Sequence, residues 1–170
     1  MLSPKVVKLL NEQINKELYS AYLYLDMSNF YADKNLKGFA NWYYVQTQEE
    51  TAHAMIFRNY LLREGYKVEL GAIDKPNVEF KELVDPLKEA YKHELYVTST
   101  IHDIYAAAQE EKDFRTMSFV DWFIKEQAEE EDNANDLIQK FEMFGQDMKA
   151  LYLLDADLGA RVFTPPTLVI

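Results

Sequence analysis

Four long stretches of this chain repeat apolar residues at steps of three and four, and each apolar stripe contains a glutamate. Such a stripe runs along one face of an α-helix, the face that packs against neighbouring helices. The glutamates fall in the middle part of their helices, so a bundle would bring them into one buried layer. They are Glu17, Glu50, Glu94 and Glu130.

The remaining signals are typical of one helical domain. Only five Gly and five Pro occur, and they fall between the periodic stretches. Ser3-Pro4 and Asp85-Pro86 pair a capping side chain with a proline, and Asp113 can cap a further helix. The four helices are expected to end near Tyr31, Gly65, Glu111 and Gly145. We expect a single domain over residues 1–170, with the bundle over about 4–145, a short fifth helix over about 147–160 and a tail over 161–170.

The lengths of the connections predict the topology. Short breaks separate helix one from helix two and helix three from helix four, which favours two antiparallel hairpins. About 20 residues, 66–85, separate helices two and three, enough to run back along the bundle and make these two helices parallel. The predicted fold is an all-α, up-down-down-up four-helix bundle with one long crossover and a short C-terminal fifth helix.

The buried glutamates indicate a metal site. An isolated buried carboxylate costs several kcal/mol unless it is protonated or paired, and none of the four stripes contains Lys or Arg. Glu50 and His53 are three residues apart, so both can reach one ion from the same helix face. Four carboxylates balance two divalent cations, and Glu50 is best placed to bridge them. Oxygen ligands with one imidazole suit iron or manganese, although zinc would compete.

Other polar residues lie beside this layer. Tyr24 is two turns beyond Glu17 on the same face, where it could hydrogen-bond a ligand or supply an electron. A third cation could bind among acids on helices two and four, and such a series of acids also suits an ion path. These acids are Glu49, Glu126, Glu129 and Glu130.

The other two histidines are expected at the surface or the boundary. His93 is one helical step, about 100°, from Glu94, and His102 stands in the same relation to Ile101. Helix three is predicted to pack through Leu87, Tyr91, Glu94, Thr98, Ile101, Tyr105 and Ala108.

Composition excludes several classes of protein. The formal net charge is −11, which disfavours binding to nucleic acid and favours attraction of cations. The chain has no cysteine, which excludes disulfides, thiolate zinc sites and iron–sulfur clusters. No signal peptide and no apolar stretch long enough to span a membrane is present. We therefore expect a cytoplasmic protein with no membrane partner.

Four segments resemble the non-haem bacterial and archaeal ferritins, and the resemblance covers essentially the whole chain. They are NKELYSAYLY at 15–24, EETAHA at 49–54, YKHE at 91–94 and WFIKEQAEEE at 122–131. The resemblance implies a ferroxidase centre with two irons. The first iron would be held by Glu17, Glu50 and His53, and the second by Glu50, Glu94 and Glu130, with Gln127 alongside. The third iron site of this branch would be formed by Glu49, Glu126, Glu129 and Glu130.

The resemblance also implies an assembly and a reaction. Ferritins of this kind form a hollow shell of 24 subunits, oxidise Fe²⁺ with O₂ or peroxide and deposit ferric mineral inside, and the fifth helix lies near an assembly axis. Haem is not expected. Bacterioferritins carry a second E-x-x-H on helix four, where this chain has Gln127-x-x-Glu130, and a haem-ligating Met at the position of Thr51.

Two other functions are compatible with a helical bundle. A di-metal oxygenase would act on an organic substrate and would need an apolar channel to the metal site. A non-catalytic four-helix interaction protein, such as a cytokine-like bundle, would bind no metal and would leave the buried acids unexplained.

Overall fold

The helices of the computed structural model, which describes residues 1–168, begin and end close to the predicted positions. They are α1 (Pro4–Asp33), α2 (Lys37–Arg63), α3 (Asp85–Glu110), α4 (Phe114–Phe144) and α5 (Met148–Leu158). No strand occurs in the described range, so the all-α prediction is confirmed. No helix in that range is both long and apolar enough to cross a membrane. Residues 169–170 of the predicted tail lie outside the described residues.

Side chains cap α1 and α4 as predicted, whereas Asp85 at the start of α3 has a different role. Ser3 and Asp113 each accept a hydrogen bond from the backbone N–H three residues further on, at the starts of α1 and α4. The prediction that Asp85 caps α3 was wrong, because Asp85 is already the first residue of that helix. Its carboxylate instead accepts the backbone N–H groups of Lys81 and Glu82, both at 2.8 Å. These hydrogen bonds lower the pKa of Asp85 and fix the end of the crossover.

The long crossover, residues 64–84, returns along α1. Asn11 accepts the backbone N–H of Glu69 at 2.7 Å, and Asn15 accepts that of Gly71 at 3.0 Å while donating to the carbonyl of Ala72 at 3.1 Å. The other connections are short, so α1 pairs with α2 and α3 with α4 as antiparallel hairpins. Helices α2 and α3 are therefore parallel, which confirms the up-down-down-up topology.

The apolar core is divided into two clusters, one toward each end of the bundle. One cluster contains Leu10 of α1 and Phe57 of α2, and the other contains Tyr31 of α1 and Phe39 of α2. In each of the four long helices, the glutamate of the predicted stripe lies between the residues of the two clusters. The four glutamates thus form a polar layer across the middle of the core.

Helix α3 is turned slightly from the predicted orientation. Three residues of its predicted stripe are only half-buried: Tyr91, Thr98 and Tyr105. His93, in contrast, is buried, with 7% of its surface exposed, so the prediction of a surface or boundary position was wrong. The reason is the packing of α3 against α1, where Nε2 of His93 lies 2.8 Å from Oγ of Ser20. His102 is exposed, as predicted.

Helix α5 packs across the start of α2 and also contacts α4. Oδ1 of Asp155 accepts the backbone N–H groups of Gly38 at 2.8 Å and Phe39 at 3.0 Å. A side chain of α5 therefore caps α2, whose own N-cap residue Leu36 makes no such bond. Glycine is required at position 38, because a Cβ atom there would lie 1.5 Å from the carbonyl oxygen of Asp155.

Removing this cap tests whether α5 stabilises the bundle. Asp155→Ala leaves two backbone N–H groups of α2 without an acceptor, so we expect the free energy of unfolding to fall by about 1 kcal/mol. Chemical denaturation measures the change. Asp157→Ala is the matched control, because Asp157 is an exposed acid of the same helix and should have little effect. Equal losses in the two variants would contradict the capping role.

Candidate metal centre

Three predicted ligands converge at the middle of the bundle. Glu17, Glu50 and His53 each offer one ligand atom, and these atoms all lie within 4.8 Å of one another. All three side chains are buried, with at most 3% of their surface exposed. Oε2 of Glu50 lies 3.4 Å from Nδ1 of His53, because residues three apart share a helix face. Within residues 1–168 this is the only set of three His, Asp or Glu side chains that meets so closely.

One oxygen of Glu17 has no hydrogen-bond partner. Oε1 accepts from Nε2 of Gln13 at 2.8 Å, and Oε1 of Gln13 accepts in turn from Oγ1 of Thr100 at 2.9 Å. Oε2 is buried and unpaired, the only such side-chain atom among the described residues. A buried polar atom without a partner costs about 1–3 kcal/mol. The triad to which Glu17 belongs, two carboxylates and an imidazole, is a donor set that a divalent cation would satisfy.

Glu94 and Glu130 complete the same buried layer and accept hydrogen bonds from neutral donors. Glu94 accepts from the hydroxyl of Tyr24 and, at 3.0 Å, from Nε2 of Gln127. Glu130 accepts from Nε2 of Gln46 at 2.9 Å. Each predicted second-site carboxylate of α3 and α4 is therefore oriented by an amide or a phenol rather than by a cationic side chain.

Burial raises the pKa values of three carboxyls in the layer. Desolvation is the largest cause for Glu50, Glu94 and Glu130, and for Glu50 and Glu130 the nearby charge of Glu94 is the next. The hydrogen bonds from Tyr24 and Gln127 act against this on Glu94. The pKa of the Tyr24 phenol is also raised, by burial first and then by the charges of Glu94 and Glu50, so this phenol stays protonated. A bound cation would favour the ionised carboxylates instead.

The acids of the predicted third site are more widely spread. Glu49 and Glu126 are half-buried and Glu129 is exposed. Oε1 of Glu126 lies 3.8 Å from Nε2 of His53, which connects this acid to the triad. Oε2 of Glu49 instead forms an ion pair with Nη2 of Arg161 at 2.6 Å. Burial raises the pKa values of both Glu49 and Glu126.

Several residues of the site were not predicted from the sequence. Gln13 and Gln46 orient two of the carboxylates, and His93 packs edge-on against the ring of Tyr24 at 6.0 Å. Burial lowers the pKa of His93 to about 4, so this imidazole is neutral near pH 7. The helical step of four from Gln13 to Glu17 could have revealed the first of these contacts. Nothing in the local sequence around Arg161 indicates its contact with Glu49.

The raised pKa values predict how the metal-free protein responds to pH. Protonated Glu50 and Glu130 stabilise the fold, and this contribution is complete below the ordinary carboxyl value of 4.5 and is lost as pH rises through the folded-state values. We therefore expect the free energy of unfolding, measured by urea titration with a chelator present, to decrease as the pH rises above the ordinary carboxyl value of 4.5. The side chain in Glu130→Gln stays neutral, so the free energy of unfolding of this variant should decrease less over the same pH range.

The control for this experiment is Glu142→Gln, which changes the charge equally at an exposed position of α4. Its stability should follow the pH dependence of the unaltered protein. Identical curves for Glu130→Gln and Glu142→Gln would contradict the assignment of the pH dependence to the buried layer.

Comparisons with known proteins identify the family of this chain. The ferritin-like domain family matches residues 7–144. A probable bacterial non-haem ferritin-like protein of Haemophilus influenzae is 38% identical over 159 residues, covering 94% of this chain and 96% of the relative. A bacterial non-haem ferritin of Campylobacter jejuni is 38% identical over 155 residues, covering 91% of this chain and 93% of the relative.

Solved structures give the same result. The Archaeoglobus fulgidus ferritin engineered into a closed form by site-directed mutagenesis superposes with a TM-score of 0.93 at 43% identity, covering 96% of this chain and 100% of its own. The match therefore extends over the bundle, the crossover and α5. By sequence and by structure, this chain belongs to the ferritin family.

Proposed function

We propose that this chain is an iron-storage ferritin that oxidises Fe²⁺ at the middle of its bundle. The observation that carries the proposal is the unpaired, buried Oε2 of Glu17, which faces a carboxylate and an imidazole in a layer whose hydrogen bonds come from neutral groups. Iron is the substrate of this site. The family to which the chain belongs supports iron rather than another divalent metal.

Two Fe²⁺ ions would share the layer. Glu17, Glu50 and His53 would hold the first, and Glu50, Glu94 and Glu130 would hold the second, with Gln127 alongside. A bridging role suits Glu50, because its pKa responds to the charges of both Glu94 and Glu17. Four carboxylates would balance the charge of two divalent ions, which removes the cost of burying them.

The electrons balance with a two-electron oxidant. Each Fe²⁺ gives one electron, so two ions reduce one O₂, which takes up two protons and becomes hydrogen peroxide, or reduce one hydrogen peroxide, which takes up two protons and becomes two water molecules. The protein holds the ions close together and excludes bulk water, as in other two-metal sites. Tyr24 would keep Glu94 oriented through the hydrogen bond that its phenol donates.

The ferric product would leave by the outer acids and enter a shell. Glu126 lies beside His53, and we propose that Glu49, Glu126, Glu129 and Glu130 form a third iron site on this path. Helix α5 carries exposed apolar side chains, Met148, Tyr152 and Leu153. Such a patch is typical of a protein interface and supports assembly with further copies of this chain, for which we propose 24 subunits.

The alternative functions are less well supported. The cavity that reaches Glu94 and Glu130 has a volume of about 10 Å³, close to the minimum for one water molecule, so it does not hold the organic substrate that an oxygenase would need. A non-catalytic interaction bundle would gain nothing from Oε2 of Glu17, which is destabilising unless a ligand binds it.

Substitution of the triad tests the site. Glu17→Ala and His53→Ala should each slow Fe²⁺ oxidation by at least about tenfold, followed by ferric absorbance after mixing with air-saturated buffer. Gel filtration should show unchanged assembly. His102→Ala is the matched control, because His102 is exposed on α3 and should oxidise iron normally. Normal rates in both triad variants would refute the site assignment.

Tyr24 offers a second test within the layer. Tyr24→Phe removes the hydroxyl that donates to Glu94 and should slow oxidation by about tenfold in the same assay. Tyr43→Phe is the control, since the Tyr43 ring stacks on that of Tyr24 at 5.8 Å and its hydroxyl donates no hydrogen bond to the layer. Equal rates in the two variants would remove Tyr24 from the reaction.

A further inference from the structure

Arg161, three residues beyond the end of α5, places a positive charge against an acid of the proposed iron path. Its Nη2 lies 2.6 Å from Oε2 of Glu49, and both side chains are mostly buried, with 18% and 19% of their surfaces exposed. The guanidinium also lies over the ring of Trp42, 4.0 Å from the ring centroid. An arginine that stacks on an aromatic ring and pairs with a carboxylate is held in one orientation. The long side chains of an exposed ion pair, such as Lys5 with Glu110, are not held in this way.

The backbone around Arg161 holds the guanidinium in place. Nδ2 of Asn41 donates to the carbonyl of Arg161 at 2.9 Å, and Nη1 of Arg161 donates to the carbonyl of Trp42 at 3.4 Å. Asp155 of α5 caps the start of α2, which fixes the helix from which this segment extends. The C-terminal segment is thus tied to α2 at Asp155 and at Arg161 itself.

Glu49 is paired with a guanidinium, unlike Glu126 and Glu129 of the proposed third iron site. Burial and the charge of Glu129 both raise the pKa of Glu49, while Arg161 acts in the opposite direction. Within residues 1–168, neither Glu126 nor Glu129 forms an ion pair with Lys or Arg. Among these acids the guanidinium therefore pairs only with Glu49, which lies on α2 next to Glu50 in the sequence.

We infer that Arg161 is the resident counter-cation of the third iron site, and that its charge weakens the binding of iron there. The inference rests on the proposed function. The guanidinium lies 2.6 Å from Oε2 of Glu49, and its positive charge lowers the attraction of the acid set for a further cation. Arg161 thereby keeps this site a point of transit, from which iron moves on, rather than a place where it accumulates.

Counting bound Zn²⁺ tests the inference without iron chemistry. Equilibrium dialysis against Zn²⁺, which is not oxidised, should give about two ions per chain for the unaltered protein and about three for Arg161→Gln. Adding Glu49→Gln to Arg161→Gln should return the count to about two. Arg115→Gln is the matched control for net charge, because Arg115 is an exposed arginine paired with Glu64 at 2.9 Å; its count should stay at about two.

The outcomes separate the inference from the proposed function. Equal counts for Arg161→Gln and Arg115→Gln, whether raised or not, would overturn the role of Arg161 and leave the mid-bundle site intact. A failure of the unaltered protein to bind any Zn²⁺ would instead refute the proposed function.

A fluorescence titration covers the case in which Arg161→Gln fails to fold. The chain has two tryptophans, so Trp122→Phe leaves Trp42 as the only reporter. Its emission should stay constant while the first two Zn²⁺ ions bind and change when a third binds beside the guanidinium that lies over Trp42, at higher concentration. Constant emission while a third ion binds would overturn the inference.

Discussion

The structure depends on a layer of four buried glutamates that cuts its apolar core in two. Each of the long helices contributes one of them, and apolar clusters lie on either side. In the absence of a cation this layer opposes folding, because its carboxyls are desolvated and repel one another. The two apolar clusters and the caps at the helix ends hold the helices in register against that cost. The fold therefore holds these carboxylates close together, although in water they would repel one another and separate.

The hydrogen bonds around the layer decide what the acids can do. Gln13, Gln46 and Gln127 each donate to a different carboxylate, which fixes orientation without adding positive charge. A lysine or arginine in the same place would neutralise the acids and remove the need for a metal. The only guanidinium nearby within the described residues, that of Arg161, contacts Glu49 at the edge of the layer. Neutral donors within the layer, together with a guanidinium at its edge, suit a site that binds cations and then passes them outward.

Much of this arrangement was predictable from the sequence. Helical periodicity identified the four helices, and the lengths of their connections gave the topology. The glutamates were evident because each interrupts an apolar stripe. What escaped prediction depends on contacts between distant segments: the capping of α2 by Asp155, the burial of His93 against Ser20, and the pairing of Arg161 with Glu49. An error of one residue step, about 100°, in the orientation of a helix is enough to hide such contacts, since periodicity gives a face but not its exact rotation.

The central claim, that the buried layer is a site for two irons, is tested most directly by diffraction. Crystals soaked with Fe²⁺ without oxygen, measured at the iron absorption edge, would locate each ion by its anomalous signal. The account predicts two iron peaks in the layer, one within about 2.0–2.2 Å of ligand atoms of Glu17, Glu50 and His53, the other among Glu50, Glu94 and Glu130. Iron found only on the surface, with none in the layer, would contradict it.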